Sequence, residues 1–131
     1  MSWYAAHIVL YVEKEQQPQD CFPVWENIVL IEAATEDEAF DKAEAVGRDG
    51  EGDDDGSFRW AGEPARWVFA GVRKLTTCEN EESRPGDGTE LTFLQMEVGS
   101  REALNSLVDS RPVLVEFKEP FPSEETVYQA T

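Results

Sequence analysis

The sequence predicts an α+β fold, with an antiparallel sheet of about five strands and two helices on one of its faces. Three observations carry that prediction. Residues 3–12, 25–33 and 65–75 alternate with the period of two that a strand requires. Two stretches, after Thr35 and after Ser100, switch to helical spacing behind a residue type that caps helices. A chain of 131 residues, 40% hydrophobic and 11% aromatic, can close one core without disulfides or a structural metal.

The first strand runs from Trp3 to Val12, with Tyr4, Ala6, Ile8, Leu10 and Val12 on one face. Trp3, Ala5, His7, Val9 and Tyr11 form the other, so both faces are apolar enough to be covered. Residues 13–23 are polar, contain Pro18 and Pro23, and read as a loop. Trp25 to Ala33 is the second strand, paired with the first as a long-looped hairpin. Thr35 opens the first helix with a capping box, its hydroxyl directed at the amide of Glu38 and the Glu38 carboxylate reaching back. Glu36, Asp37 and Glu38 suit the positive end of the helix dipole. Ala39, Phe40, Ala43 and Val46 follow at helical spacing, the two alanines being small enough to lie close to a sheet. Gly47 is the expected left-handed stop.

Residues 48–57 read as a mobile acidic loop, and residues 58–64 as either a short extension or a turn that covers the core edge with Trp60. Ala65 to Leu75 is the third strand. Strict alternation puts Trp67, Phe69, Gly71 and Leu75 on one face with Arg73, and Val68, Ala70 and Val72 on the other with Arg66 and Lys74. A long acidic connection over 78–89 leads to a fourth strand at Glu90–Val98. Ser100 caps a second helix bearing Ala103, Leu104, Leu107 and Val108, Pro112 prevents its continuation, and Val113–Phe117 is the fifth strand. From the second strand onward this is β-α-β-β-α-β, the split βαβ or ferredoxin-like order. The extra N-terminal strand then adds to one edge or pairs with a partner chain. A more curved antiparallel sheet holding the first helix in its concavity is the alternative. Residues 1–118 form a single domain in this reading, and residues 119–131, with Pro120 and Pro122, a flexible tail.

Charge narrows the function classes. Twenty-eight Asp and Glu face 11 Lys and Arg, a formal charge of −17. Such a surface repels phosphate backbones and anionic lipid, which argues against nucleic-acid and membrane binding. No apolar run approaches the roughly 18 residues of a membrane helix, and no signal segment opens the chain, so the expected location is cytoplasmic. Cys21 and Cys78 then read as free thiols, a disulfide being the alternative in an oxidising compartment. One histidine and two scattered cysteines give no zinc spacing. Glu51, Asp53, Asp55, Gly56 and Phe58 partly match a calcium loop, but its first position is Glu and its twelfth is Gly62. A solvated acidic loop is the preferred reading, with no metal and no cofactor. Gly50, Gly52 and Gly56 alternate with acids and form no phosphate cradle.

Three segments carry a family resemblance: W-Y-A-A at Trp3–Ala6, A-T-E-D-E-A-F-D-K-A at Ala34–Ala43, and R-W-V-F-A-G-V-R-K-L at Arg66–Leu75. Over residues 3 to 78 the chain resembles a family of short bacterial proteins known only as a domain of unknown function. The resemblance implies a bacterial intracellular protein without an assigned activity, and it supplies no catalytic residues.

The residues themselves point to no reaction. His7 sits mid-strand, and as a general base it needs an orienting acid and a reacting group that the sequence does not identify. Cys21 and Cys78 have no adjacent base to depress a thiol pKa. Trp67 reads as core, while Trp3, Trp25 and Trp60 lie near strand ends or loops, as lids over the core or as anchors for a partner. Residues 13–63 hold 16 acids and four bases, against 12 and seven over 64–131. The expectation is therefore a non-enzymatic protein-interaction module for a basic partner, an inhibitor or immunity-type binder. Its contact residues are Trp25, Glu36, Asp37, Asp41, Glu44, Asp53, Asp54, Asp55 and Trp60, and a homodimer through a sheet edge is a further form of it. The alternative is a small-ligand binder or enzyme on an open sheet face around His7, Trp3 and Tyr11.

Overall fold

The computed structural model describes residues 2–52, 57–78 and 84–118. The calcium-loop aspartates Asp53 and Asp55, their neighbour Asp54, and the tail from Glu119 lie outside the described residues. The chain divides into two compact units, Met1–Thr92 and Phe93–Thr131. Among the described residues the fold is α+β, with two helices, a four-stranded antiparallel sheet and a small two-stranded one.

In the first unit, β1 (Ser2–Lys14) pairs antiparallel with β2 (Val24–Ala33) on one side and with β4 (Glu63–Thr77) on the other. A two-residue strand, β3 (Arg59–Trp60), completes the order β2-β1-β4-β3. The N-terminal strand, expected at an edge or against a partner, is thus central. Apolarity on both of its faces is the reason, since only an inner strand can bury both. β2 and β4 consequently run parallel to each other with β1 between them. They are joined by α1 (Glu36–Asp49), which packs against all three long strands. This is one split βαβ unit, with β1 between its two parallel strands. The complete ferredoxin-like order is not seen among the described residues, where the expected strand at Glu90–Val98 is paired only at Met96–Glu97 and α2 belongs to the second unit.

The core lies between α1 and the sheet: Tyr4, Ala6, Ile8 and Leu10 of β1, Ile31 and Ala33 of β2, and Ala39 and Ala43 of α1. Burying such side chains stabilises the fold by about 1.5–3 kcal/mol each for the larger ones. Thr35 caps α1 as expected, its Oγ1 accepting from the Glu38 amide at 3.1 Å, while the Glu38 carboxylate accepts from the Ala34 amide at 3.4 Å. Gly47, however, does not stop the helix, which continues to Asp49 and ends at Gly50. Gly47 is glycine because a Cβ there would overlap the Phe69 ring of β4.

Two register shifts separate β1 from β4, between His7 and Ile8 and between Val9 and Leu10. They leave Ala70 and Arg73 as extra residues on β4 and break its alternation. Trp67, Phe69, Val72 and Leu75 pack on the α1 side at spacings of two, three and three. Val72 thereby joins the face expected for Arg73, and the bulge re-aims Arg73. Residues 58–64 resolve into a tight hairpin with Trp60 opposite Glu63. Its central pair, Ala61 (φ 52°) and Gly62 (φ 82°), has the two positive φ angles that a type I′ turn demands.

In the second unit, β5 (Met96–Glu97) pairs antiparallel with β6 (Glu116–Phe117). α2 (Arg101–Val108) begins at Ser100, whose Oγ accepts from the Ala103 amide at 3.0 Å. It closes with Ser110 in the left-handed region, Arg111 donating to the Ser106 carbonyl at 2.8 Å. None of its residues is buried. Among the described residues no helix is long and apolar enough to cross a membrane.

Candidate functional site

β1 carries His7 onto the face opposite α1, where its side chain is fully buried. Nδ1 lies 2.5 Å from Glu26 Oε2 and Nε2 lies 2.6 Å from Thr92 Oγ1. A carboxylate only accepts, so Nδ1 carries the proton. In the neutral ring Nε2 then accepts from the Thr92 hydroxyl. Arg73, displaced by its bulge, reaches over β1 and donates through Nε to Glu26 Oε1 and through a terminal nitrogen to Oε2, each at 2.7 Å. These hydrogen bonds hold the Glu26 carboxyl below its ordinary range; partial burial opposes them, and the bond to His7 assists. The result is a continuous hydroxyl–imidazole–carboxylate–guanidinium chain.

On the sheet face around His7, expected to be open if the chain bound a small ligand there, Trp3, Val9 and Tyr11 are half-buried. Ala5 beside His7 is also fully buried, and the Arg84 guanidinium lies 5.5 Å from the Trp3 ring centroid. Cys78 is buried under the same stretch, 3.7 Å from the Leu91 carbonyl oxygen, and burial pushes its thiol up, away from nucleophilic use. Cys21 is exposed, so the two thiols are separate and free. Tyr11 meets Phe22 edge to face at 5.7 Å.

The residues expected to contact a partner fall into two groups where the structure describes them. Trp25 and Trp60 come together, edge to face, with centroids 5.6 Å apart. Trp25 also meets Trp67 at 5.0 Å, and Trp67 stacks on Phe58 at 5.6 Å. This four-ring cluster occupies the start of β2, and Trp25 remains 42% exposed. Around it, Glu13 is tied to Arg66 at 2.7 Å and Glu63 to Lys14 at 3.0 Å, while Glu51 accepts from the Phe69 amide at 3.0 Å. Glu36 and Asp37 are exposed at the opposite end, in the first turn of α1, because eight residues of strand, about 26 Å, separate Trp25 from Ala33. Asp41 is exposed and Glu44 half-buried along the helix between them. Among the described residues no group of three His, Cys, Asp or Glu side chains is placed to hold a metal ion.

Sequence reasoning missed Glu26, Arg73 and Thr92. They lie 19, 66 and 85 positions from His7. The local signal was a carboxylate, Glu26, which with Asn27 interrupts the apolar run Val24–Ile31.

No curated protein and no solved structure matches the chain. A family model, described as a domain of unknown function (DUF4288), matches residues 3–92. That span ends at the boundary of the first compact unit and includes every member of the His7 chain. Residues 3–92 thus identify the chain as a member of the DUF4288 family, a domain of unknown function.

Proposed function

We propose that the chain is a protein-interaction module that docks a basic partner segment at the Trp25–Trp60 end of its sheet. The observation that supports this reading is the aromatic cluster itself. Two tryptophans far apart in sequence meet at 5.6 Å, and one of them remains 42% exposed in a molecule of formal charge −17. An exposed indole face attracts guanidinium and ammonium groups, and the negative field around it speeds their arrival. In the sharper form of the reading the partner is a toxin or nuclease whose basic site the carboxylates cap. A homodimer would use the outer edge of β2, where Ile28 and Leu30 are exposed. A cytoplasmic setting goes with either form.

The test is a fluorescence titration of the full chain with a short arginine-rich peptide at 20 mM and 500 mM salt, the values being set at about one Debye length of 20 Å and 4 Å. Quenching that weakens at high salt, and that Trp25→Ala reduces about tenfold, is expected. Affinity indifferent to salt or to Trp25→Ala would remove the reading.

A further inference from the structure

His7 and its partners make an arrangement that docking at the Trp25–Trp60 cluster does not use. The hydroxyl of half-buried Thr92 lies 2.6 Å from Nε2 of an imidazole whose Nδ1 donates to a carboxylate. The other ring nitrogen is held by a carboxylate at 2.5 Å, and that carboxylate is clamped by a guanidinium at 2.7 Å on both oxygens. A hydroxyl within bonding distance of a base that a third group orients is the geometry of an activated nucleophile. The imidazole is desolvated, and in its neutral form the bond to Glu26 leaves the lone pair on Nε2, directed at the Thr92 hydroxyl.

We propose that Thr92 Oγ1 is an acyl-accepting nucleophile with His7 as its general base, and that its substrates are small, uncharged carboxylic esters. The charge of −17 selects against phosphate-bearing and other anionic acyl donors. In the first step Oγ1 bonds to the ester carbonyl carbon as its proton passes to His7 Nε2. The C–O bond to the leaving alkoxide then breaks, and His7 returns the proton to that oxygen. Water repeats the sequence on the acyl-threonine, restoring the hydroxyl and releasing the carboxylic acid, so atoms and charge balance without a further reactant. Glu26 and Arg73 are positioning residues: they touch no substrate, but they hold the ring's tautomer and direction.

The experiment treats the full chain with a fluorophosphonate probe at pH 8, where Oγ1 would bond to phosphorus and fluoride would leave, and follows intact mass and peptide mapping. A single adduct on Thr92 is expected, absent in Thr92→Ala and retained in Thr92→Ser. His7→Asn, with its fold verified by circular dichroism, should react at least about 100-fold more slowly. Glu26→Gln serves the same purpose if that variant fails to fold, with a slowing of about tenfold or more. No adduct on Thr92 in the native chain overturns the proposal, as does labelling that proceeds equally fast in the folded His7 or Glu26 variant.

Discussion

Beneath α1 the sheet is closed by small apolar side chains, and on its opposite face it is closed around a buried imidazole. The first closure needs shape alone. Ala33, Ala39, Ala43 and Gly47 let the helix approach, and Ile8, Leu10 and Ile31 fill the space. The second needs every polar partner in place, because a desolvated imidazole without Glu26 and Thr92 would carry the full cost of two lost hydrogen bonds. Among the described residues no buried side-chain nitrogen or oxygen lacks a partner. An apolar face degrades in proportion to the volume removed, whereas a polar one fails when any single member leaves.

That contrast is tested most strongly by truncating β1 on each face in turn. Ile8→Ala should cost about 2–4 kcal/mol in urea unfolding, and His7→Ala a similar amount. The discriminating variant is His7→Leu, which restores volume without hydrogen bonds. If the second face depends on polar pairing, it stays about 1–3 kcal/mol below the native chain. Full recovery would show that shape suffices on both faces.

A smaller effect is expected from Gly47→Ala, which sharpens the account of the α1 face. Alanine favours a helix by about 0.5–1 kcal/mol over glycine, yet its methyl overlaps the Phe69 ring. Overpacking costs of about 1–3 kcal/mol win, so the variant should be less stable, and Gly47→Ala with Phe69→Leu should recover most of the loss. A stabilised single variant would mean that the ring gives way freely.

The smallest effect concerns Glu26, which is only partly buried and therefore partly screened. Its pKa is lower folded than unfolded, so it contributes stability that is complete above the unfolded carboxylate range. That contribution is lost as pH falls below about 4.5 toward the depressed folded value. Arg73→Met should flatten the urea midpoint between pH 5 and pH 3, a window spanning about the ordinary carboxylate pKa. An unchanged pH slope would show that Arg73 does not hold the carboxylate.

The sequence by itself determined strands at residues 3–12, 25–33 and 65–75, which the structure extends to 2–14, 24–33 and 63–77, the helix begun by Thr35, and the α+β class, because each follows from residues a few positions apart. It also determined that β1 could be covered on both faces. Tertiary structure decided that β1 is central and that two bulges turn Val72 inward and Arg73 toward Glu26. It also kept Gly47 within the helix against Phe69, and left residues 90–95 out of the strand that alternation had suggested. The Thr92–His7–Glu26–Arg73 chain and the Trp25–Trp60 pair belong to this second class. Alternation and capping are local rules that the backbone obeys alone, whereas bulge positions and pairings across 19 to 85 residues are selected by which arrangement leaves no buried polar group unpaired.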